Sequence, residues 1–348
     1  MAQLSARNEY VGVLEMLPLR VEASRRSFFR LRAKSLSTAK SLSTAKTWVA
    51  MHSPPELEQN ERFCDLAQLF HEHDLGVPEV LARNFGSGFF LMEDLGERHL
   101  EDEFVSARAQ GRPSKQLLLK ALQPLKCLQA IQDSSIAPYT ESRMCMEFDL
   151  FAEWLLSAML GIELTSAQVG VLELGRAHTV GAMIDQPQCC VHRDYHCRNL
   201  LWSGNNSADG IGIVDFQDAL HGPMLYDPAS LLRDCYFVHD EDSIQAVLKE
   251  FASWQPQLAN LATEQLSRWH DFTALQRQIK AMGIFARLYL RDGKSSHLGY
   301  IPAVLDRVIT LASDYAETAN LADLLASQQD LIEQQVDQAL VQHSDPLL

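Results

Sequence analysis

Val191-His192-Arg193-Asp194-Tyr195-His196-Cys197-Arg198-Asn199-Leu200-Leu201-Trp202, followed by Ile213-Val214-Asp215-Phe216-Gln217-Asp218, is the stretch on which the reading of this chain turns. An apolar run enters a polar turn holding Asp194 and Asn199, and a second apolar run delivers Asp215, with a hairpin tip expected from Ser203 to Gly210. This is the layout phosphoryl transfer requires. A carboxylate accepts the proton of an attacking hydroxyl, and an amide and a second carboxylate hold magnesium against nucleotide phosphates. Magnesium takes few oxygen ligands from protein and the rest from phosphate and water, so Asn199 and Asp215 suffice.

The spacing resembles the H-R-D-x-x-x-x-N loop of protein kinases, but Asp215 is followed by Phe216-Gln217-Asp218 where those enzymes carry D-F-G. No A-P-E element or long activation segment follows it, which argues against a protein substrate. Small-molecule kinases of the aminoglycoside phosphotransferase and choline kinase type share H-x-D-x-x-x-x-N without D-F-G. Within that group His192-Arg193-Asp194-Tyr195-His196, Asp215-Phe216-Gln217-Asp218-Ala219 and Gly222-Pro223-Met224-Leu225-Tyr226-Asp227 look most like the bacterial kinases of the anomeric hydroxyl of N-acetylmuramic acid and N-acetylglucosamine. The resemblance runs, more loosely, from about Glu22 to the C-terminal helices. It implies an α+β, bilobal protein-kinase-like fold: a small antiparallel-sheet lobe over residues 1–95 that binds the nucleotide, and a mostly helical lobe over 96–348 that carries the catalytic loop and acceptor site. It also implies ATP and magnesium as cofactors and a sugar 1-phosphate as product, a step of cell-wall recycling.

A chain of 348 residues is long enough for two such units. Its 47% hydrophobic and 22% charged content is that of a globular protein. A net charge of −15 argues against nucleic acid and anionic membrane surfaces as partners, because neither attracts an acidic chain. Seven cysteines without a C-x-x-C pair point to reduced thiols rather than a disulfide framework or zinc site, and the crowding of Cys190, His192, His196 and Cys197 is better read as catalytic loop. No apolar stretch suits a signal peptide or membrane span, so the expected place is the cytoplasm.

At the N-terminus, Ser5 to Leu17 reads as a short amphipathic helix ended by Pro18. Leu19 to Glu22 and Phe28 to Arg32 read as strands joined by Ala23-Ser24-Arg25-Arg26-Ser27, where a kinase covers the phosphates with glycines. No glycine is present. Ser24, Arg25 and Arg26 are therefore the phosphate candidates, and the anomeric sugar kinases carry a similar A-S-x-R stretch. The hexamer Ser35-Leu36-Ser37-Thr38-Ala39-Lys40 repeats once as Ser41 to Lys46, too few copies for a solenoid, and reads as a lengthened hairpin before a third strand, Thr47 to Met51. That strand lacks the phosphate-pairing lysine of protein kinases, the main internal objection to activity. The sugar kinases lack it too, and share the M-x-x-P-P-E pattern seen here at Met51 to Glu56. Glu56, Glu58 and Glu61 head a helix reaching about His73, where acidic residues suit the positive end of the dipole.

Phe89 to Met92 reads as a strand that ends in a hinge, and Glu93, Asp94 and Leu95 would offer backbone groups to an adenine ring. Helices follow from Ser114 to Gln132, divided by Pro124, from Phe148 to Leu160 and from Leu172 to Ile184. Glu153 lies near the expected sugar, whereas Trp154 suits core packing. Asp227 reads as a helix cap before Pro228, and the resemblance adds an anchoring role on the catalytic loop. Ser243 to Trp254, Thr263 to Leu290 and Ile301 to Leu325 complete the helices, with a polar tail expected to fray.

The expected roles are Asp194 as base, His192 as loop support, Arg198 as neutraliser of transferring charge, and Asn199 and Asp215 as metal ligands. Arg193, Gln217, Asp218 and Glu153 are weaker candidates for the substrate. An aminoglycoside, choline or another amino alcohol is the alternative acceptor, and a nucleotide-binding protein with weak or no turnover is the alternative class.

Overall fold

The structure, a computed structural model, describes residues 13–19, 25–34, 47–202 and 210–344. In chain order its strands are β1 (Val13–Pro18), β2 (Ser27–Lys34), β3 (Thr47–His52), β4 (Val80–Asn84), β5 (Phe89–Glu93), β6 (Gln188–Val191), β7 (Leu200–Trp202), β8 (Ile211–Ile213) and β9 (Leu220–Pro223). The helices are α1 (Asn60–Glu72), α2 (Leu100–Ala109), α3 (Lys115–Leu122), α4 (Leu125–Ala130), α5 (Glu141–Leu150), a π-helix (Phe151–Met159), α6 (Ser166–Ile184), α7 (Tyr226–Leu232), α8 (Glu241–Trp254), α9 (Thr263–Asp292), α10 (Ile301–Ser313) and α11 (Ala319–Ser344).

Two compact units result. One is Met1–His99 with Leu200–Gln217, the other Leu100–Asn199 with Asp218–Leu348. The division found at 99/100 lies just beyond the 95/96 expected, and the segment 200–217, expected with the helical part, groups with the N-terminal unit.

In the first unit a sheet runs in the order β1-β2-β3-β5-β4, antiparallel throughout. Trp48 is buried in it beside Leu31, Leu81 and Leu91. Helix α1 turns Phe63, Cys64, Leu66, Ala67 and Phe70 inward, the i, i+3, i+4, i+7 spacing of a single apolar stripe. The ring of Phe216 stacks on Phe63 with centroids 5.3 Å apart and meets Phe70 edge-on. The β7–β8 hairpin is tied to this unit where Ile213 N donates to Gly76 O at 2.8 Å. A Cβ at Gly76 would fall 2.4 Å from the Ile211 carbonyl oxygen, so only glycine permits that approach.

In the second unit the core gathers around α9, whose Phe272, Leu275, Ile279, Met282 and Phe285 join Phe148, Phe151 and Leu155. The two-stranded β6–β9 ladder sets the entry to the loop that follows Val191, with Val191 opposite Leu220.

Several expectations needed correction. Leu14 to Leu17 are strand, not helix, because β1 pairs with β2 from Val13↔Lys34 to Pro18↔Phe29, and so short an apolar run fits either period. The strand expected at Leu19 begins too late: Leu19 lies beyond β1 and donates to Phe28 O. Ser24, the tandem hexamer and the hairpin tip at 203–209 lie outside the described residues. Helix α1 starts at Asn60, leaving Glu56 and Glu58 in a turn closed onto Pro54 O. The helix expected from Phe148 divides at Leu150 into α5 and the π-helix. Ile301 to Leu325 is two helices broken between Ser313 and Ala319, and α11 continues to Ser344 where fraying was expected. The division of Ser114 to Gln132 at Pro124 is found as α3 and α4.

Candidate active site

Strand β6 ends at Val191, and the chain then turns so sharply that Arg193 adopts φ 76°, a left-handed conformation rare for a long side chain. Two constraints hold it. The Asp227 carboxylate accepts both the His192 N–H at 2.7 Å and the Arg193 N–H at 2.9 Å. The Arg193 guanidinium donates to Glu147 and to Asp218 O, and lies over the Tyr139 ring. Asp227 stands inside the first turn of α7, whose N-cap is Leu225, so its acceptor atoms serve the loop and not the helix end. The capping expectation is corrected, and the anchoring one describes what Asp227 does.

Beyond Arg193 each residue of the loop has a fixed partner. Tyr195 Oη donates to Ala121 O at 2.6 Å, and Cys197 N donates to Asp234 at 2.8 Å. Asn199 Nδ2 donates to Asp194 O at 3.0 Å, closing the turn across the four residues between them. Asp194 N donates to His192 Nδ1 at 3.3 Å. Burial pushes His196 down to about 4, so it is a neutral ring at ordinary pH.

Asp194 is half-buried. Burial alone would raise its pKa, but Lys280 and Arg193 outweigh that and hold its carboxyl below the ordinary carboxylate range. Beneath it lies a charge cluster that sequence reading missed. Glu147 accepts from Lys280 Nζ at 3.2 Å and from Arg193 and Tyr139, and Lys280 also donates to Tyr226 Oη at 2.9 Å. A signal for it was present: Gln276, Arg277 and Lys280 interrupt the buried stretch of α9, and polar groups placed there need partners.

Arg198 is engaged otherwise than expected. Its guanidinium forms a two-pronged pair with Glu101, at 2.9 and 3.1 Å, donates to Tyr300 Oη and lies over the Tyr236 ring. That pairing makes it a strut of the loop's far end rather than a cation held for a transferring phosphoryl group. Glu153 is exposed on the π-helix, and Asp218 is exposed with its carbonyl toward Arg193.

In the first unit Asp215 is exposed at φ 66°, again left-handed, directly before the buried Phe216. Gln217 Nε2 donates to Asp215 Oδ1 at 2.5 Å and Arg62 donates to Gln217 O, so Gln217 orients the carboxylate. Arg26 is buried: it pairs with Glu58 at 3.1 Å, donates to Ser53 Oγ at 3.2 Å and lies over the Phe63 ring. Ser53 in turn is locked to Asn60 through two hydrogen bonds. Arg25 is exposed. In the hinge, Arg30 grips Asp94 at 2.6 and 2.9 Å and Gly96 O at 2.6 Å, while Glu93 N already donates to Glu79 O. Leu95 is half-buried, its Cβ 3.1 Å from where a Cβ on Gly212 would stand.

A carboxylate on an exposed left-handed turn and an amide whose Nδ2 is committed to the backbone are hard oxygen donors of the kind magnesium accepts. No group of three His, Cys, Asp or Glu side chains able to hold a metal occurs among the described residues.

The chain that carries this loop matches a family. Residues 27–262 fit the model of the phosphotransferase enzyme family, APH, and the chain belongs to that family. A relative from Pseudomonas aeruginosa named N-acetylmuramate/N-acetylglucosamine kinase is 32% identical over 317 residues, covering 90% of this chain and 88% of its own. One of the same name from Neisseria meningitidis serogroup B is 34% identical over 286 residues, covering 80% and 82%. Among solved structures, Plasmodium vivax ethanolamine kinase superposes with a TM-score of 0.60 at 11% identity over 85% of this chain and 82% of its own. The GDP complex of wild-type aminoglycoside 2'-phosphotransferase-IIIa gives 0.59 at 15%, over 90% and 98%. The fold is thus the protein-kinase-like fold of small-molecule kinases, and the protein is a phosphotransferase of the kinase type.

Proposed function

We propose that the protein transfers the γ-phosphate of ATP to the anomeric hydroxyl of N-acetylmuramic acid or N-acetylglucosamine, giving the sugar 1-phosphate for cell-wall recycling in the cytoplasm. The observation that carries this reading is the 32% identity across 90% of the chain to a relative bearing both sugars in its name. Asp194 orients the hydroxyl and takes its proton as the oxygen attacks the γ-phosphorus. The bond to the β-phosphate oxygen breaks and ADP leaves with the electron pair. Asn199 and Asp215 would each offer an oxygen to magnesium, which would supply charge neutralisation on the phosphates. His192 and Asp227 fix the loop, and positioning supplies most of the acceleration.

The missing strand lysine is answered by Arg26. Its pairing with Glu58 ahead of α1 parallels, from just before β2, the lysine and glutamate pairing of protein kinases. Arg25 and Ser24 are proposed to cover the phosphates beside it, and the backbone of Glu93, Asp94 and Leu95 to receive the adenine. Arg26→Ala is expected to raise KM for ATP about tenfold or more, the worth of a charge-assisted hydrogen bond, with Glu58→Gln following in the same direction. Unchanged nucleotide affinity by titration calorimetry in both variants would remove Arg26 from the phosphate site.

The test of function is ATP consumption with magnesium against N-acetylmuramic acid, N-acetylglucosamine, glucose, kanamycin and choline. Turnover of an N-acetylated sugar supports the proposal. Turnover confined to the amine compounds replaces the acceptor and keeps the mechanism. ATP binding without turnover on any of them points to a non-catalytic nucleotide-binding protein.

A further inference from the structure

The helices α9 and α5 meet along a seam that starts at the catalytic loop. Lys280 on α9 pairs with Glu147 on α5, and Glu147 holds Arg193 next to Asp194. One turn further along, a Cβ on Gly283 would fall 2.4 Å from the Leu150 carbonyl carbon, so the two backbones touch where α5 gives way to the π-helix. One more turn along α9 stands Arg287, two turns or about 10 Å from Lys280 along the axis.

Arg287 is half-buried, its Nε is shielded from solvent, and that atom has no hydrogen-bond partner. Asp292, Glu153 and Glu147 lie within its electrostatic reach, yet none of them is hydrogen-bonded to that Nε. Arg291, the nearest cation on the same helix, has its own partner in Asp292 at 2.8 Å. Burial, then Arg291, push the Arg287 guanidinium below its ordinary value against the opposing pull of Asp292, Glu153 and Glu147. A buried N–H left unpaired is costly, and a planar guanidinium matches a carboxylate through two parallel bonds. The adjoining helix is a π-helix, a distortion that often accompanies ligand sites.

We propose that Arg287 binds the carboxylate of an acidic acceptor, the lactyl carboxylate of N-acetylmuramic acid, while the anomeric hydroxyl faces Asp194. This rests on the proposed sugar kinase reading and adds the residue that distinguishes the two sugars. N-acetylglucosamine has no carboxylate and leaves Arg287 without that contact.

The experiment compares kcat/KM for N-acetylmuramic acid with kcat/KM for N-acetylglucosamine in wild type, Arg287→Leu and Arg287→Lys. The ratio is expected to fall about ten- to a hundredfold in Arg287→Leu, with the loss in KM, and to recover in part in Arg287→Lys. Damage to folding lowers both activities together and leaves the ratio unchanged, so an unchanged ratio in Arg287→Leu overturns the proposal. A wild type that phosphorylates N-acetylglucosamine but not N-acetylmuramic acid overturns it while the sugar kinase reading stands. A wild type active on neither sugar removes that reading and this proposal with it.

Discussion

Asp194→Asn is expected to lower kcat by about a thousandfold, within the range a positioned base contributes, and to leave ATP affinity close to that of wild type. The substitution keeps the shape of the loop. Asp194 contributes its backbone N–H and C=O to the turn, the carbonyl accepting from Asn199 Nδ2 at 3.0 Å and His196 N at 3.1 Å, and an asparagine offers both. Only the acceptor carboxylate is lost. Because Lys280 and Arg193 hold that carboxyl below the ordinary range against the opposing effect of burial, the acid limb of wild-type kcat/KM should fall at lower pH than a free aspartate would give. Single-turnover phosphoryl transfer and nucleotide titration separate the two effects. A variant retaining more than about a tenth of wild-type kcat would show that Asp194 is not the base, since general bases contribute at least a hundredfold.

Much of this loop was legible in sequence because its chemistry needs specified residue types at specified spacing. Asp194, Asn199 and Asp215 stand where polar turns follow apolar strands, and the strands β6, β7 and β8 lie where those apolar runs predicted. The supporting residues were legible only in part. Asp227 could be seen as a carboxylate before a proline, but its partners are 34 and 35 residues away in sequence, and local pattern assigned it to a cap. Glu147, Glu101 and Asp234 reach the loop through tertiary contacts with no fixed spacing, so nothing local marked them. The same reason hid the role of Arg198, whose charge suggested phosphate until Glu101 was found beside it. Around Val13 the difficulty was of another kind: six residues of mixed polarity fit a helix or an edge strand, and pairing with β2 decided the matter.

Arg26 shows how a missing motif residue can mislead. A search for lysine on the third strand finds Trp48 and Met51 buried in the sheet and no cation. The register Ser27↔His52 brings the start of β2 beside the end of β3, and Arg26, just before that pair, reaches Ser53 and Glu58. On the proposed reading, the cation absent from the third strand is supplied from just before a neighbouring strand, where sequence position alone does not reveal the pairing with Glu58.

The second large effect concerns Glu147. Replacement by the isosteric glutamine leaves Arg193 and Lys280 buried with their carboxylate partner gone, and breaking a buried pair in this way costs about 3–5 kcal/mol. The pH dependence gives an independent check. Burial acts to raise the Glu147 pKa, but Lys280 and Arg193 more than reverse it, from 4.5 to about 2. A carboxyl held lower in the folded than in the unfolded protein stabilises above the unfolded value, and that contribution disappears as pH falls from about 5 through 2. The shift is worth about 3 kcal/mol. Denaturant unfolding at neutral pH should thus place Glu147→Gln well below wild type, and the gap should close by about this amount on acidification, while other carboxyls contribute equally to both proteins. A gap that stays constant with pH would mean that Glu147 acts through shape alone. Adding Lys280→Met to Glu147→Gln removes one of the two stranded cations and should restore part of the lost stability, a coupling that a double-mutant cycle reads directly. Recovery of stability without recovery of kcat would then separate the charge balance of the core from the positioning of Arg193, whose left-handed backbone carries Asp194.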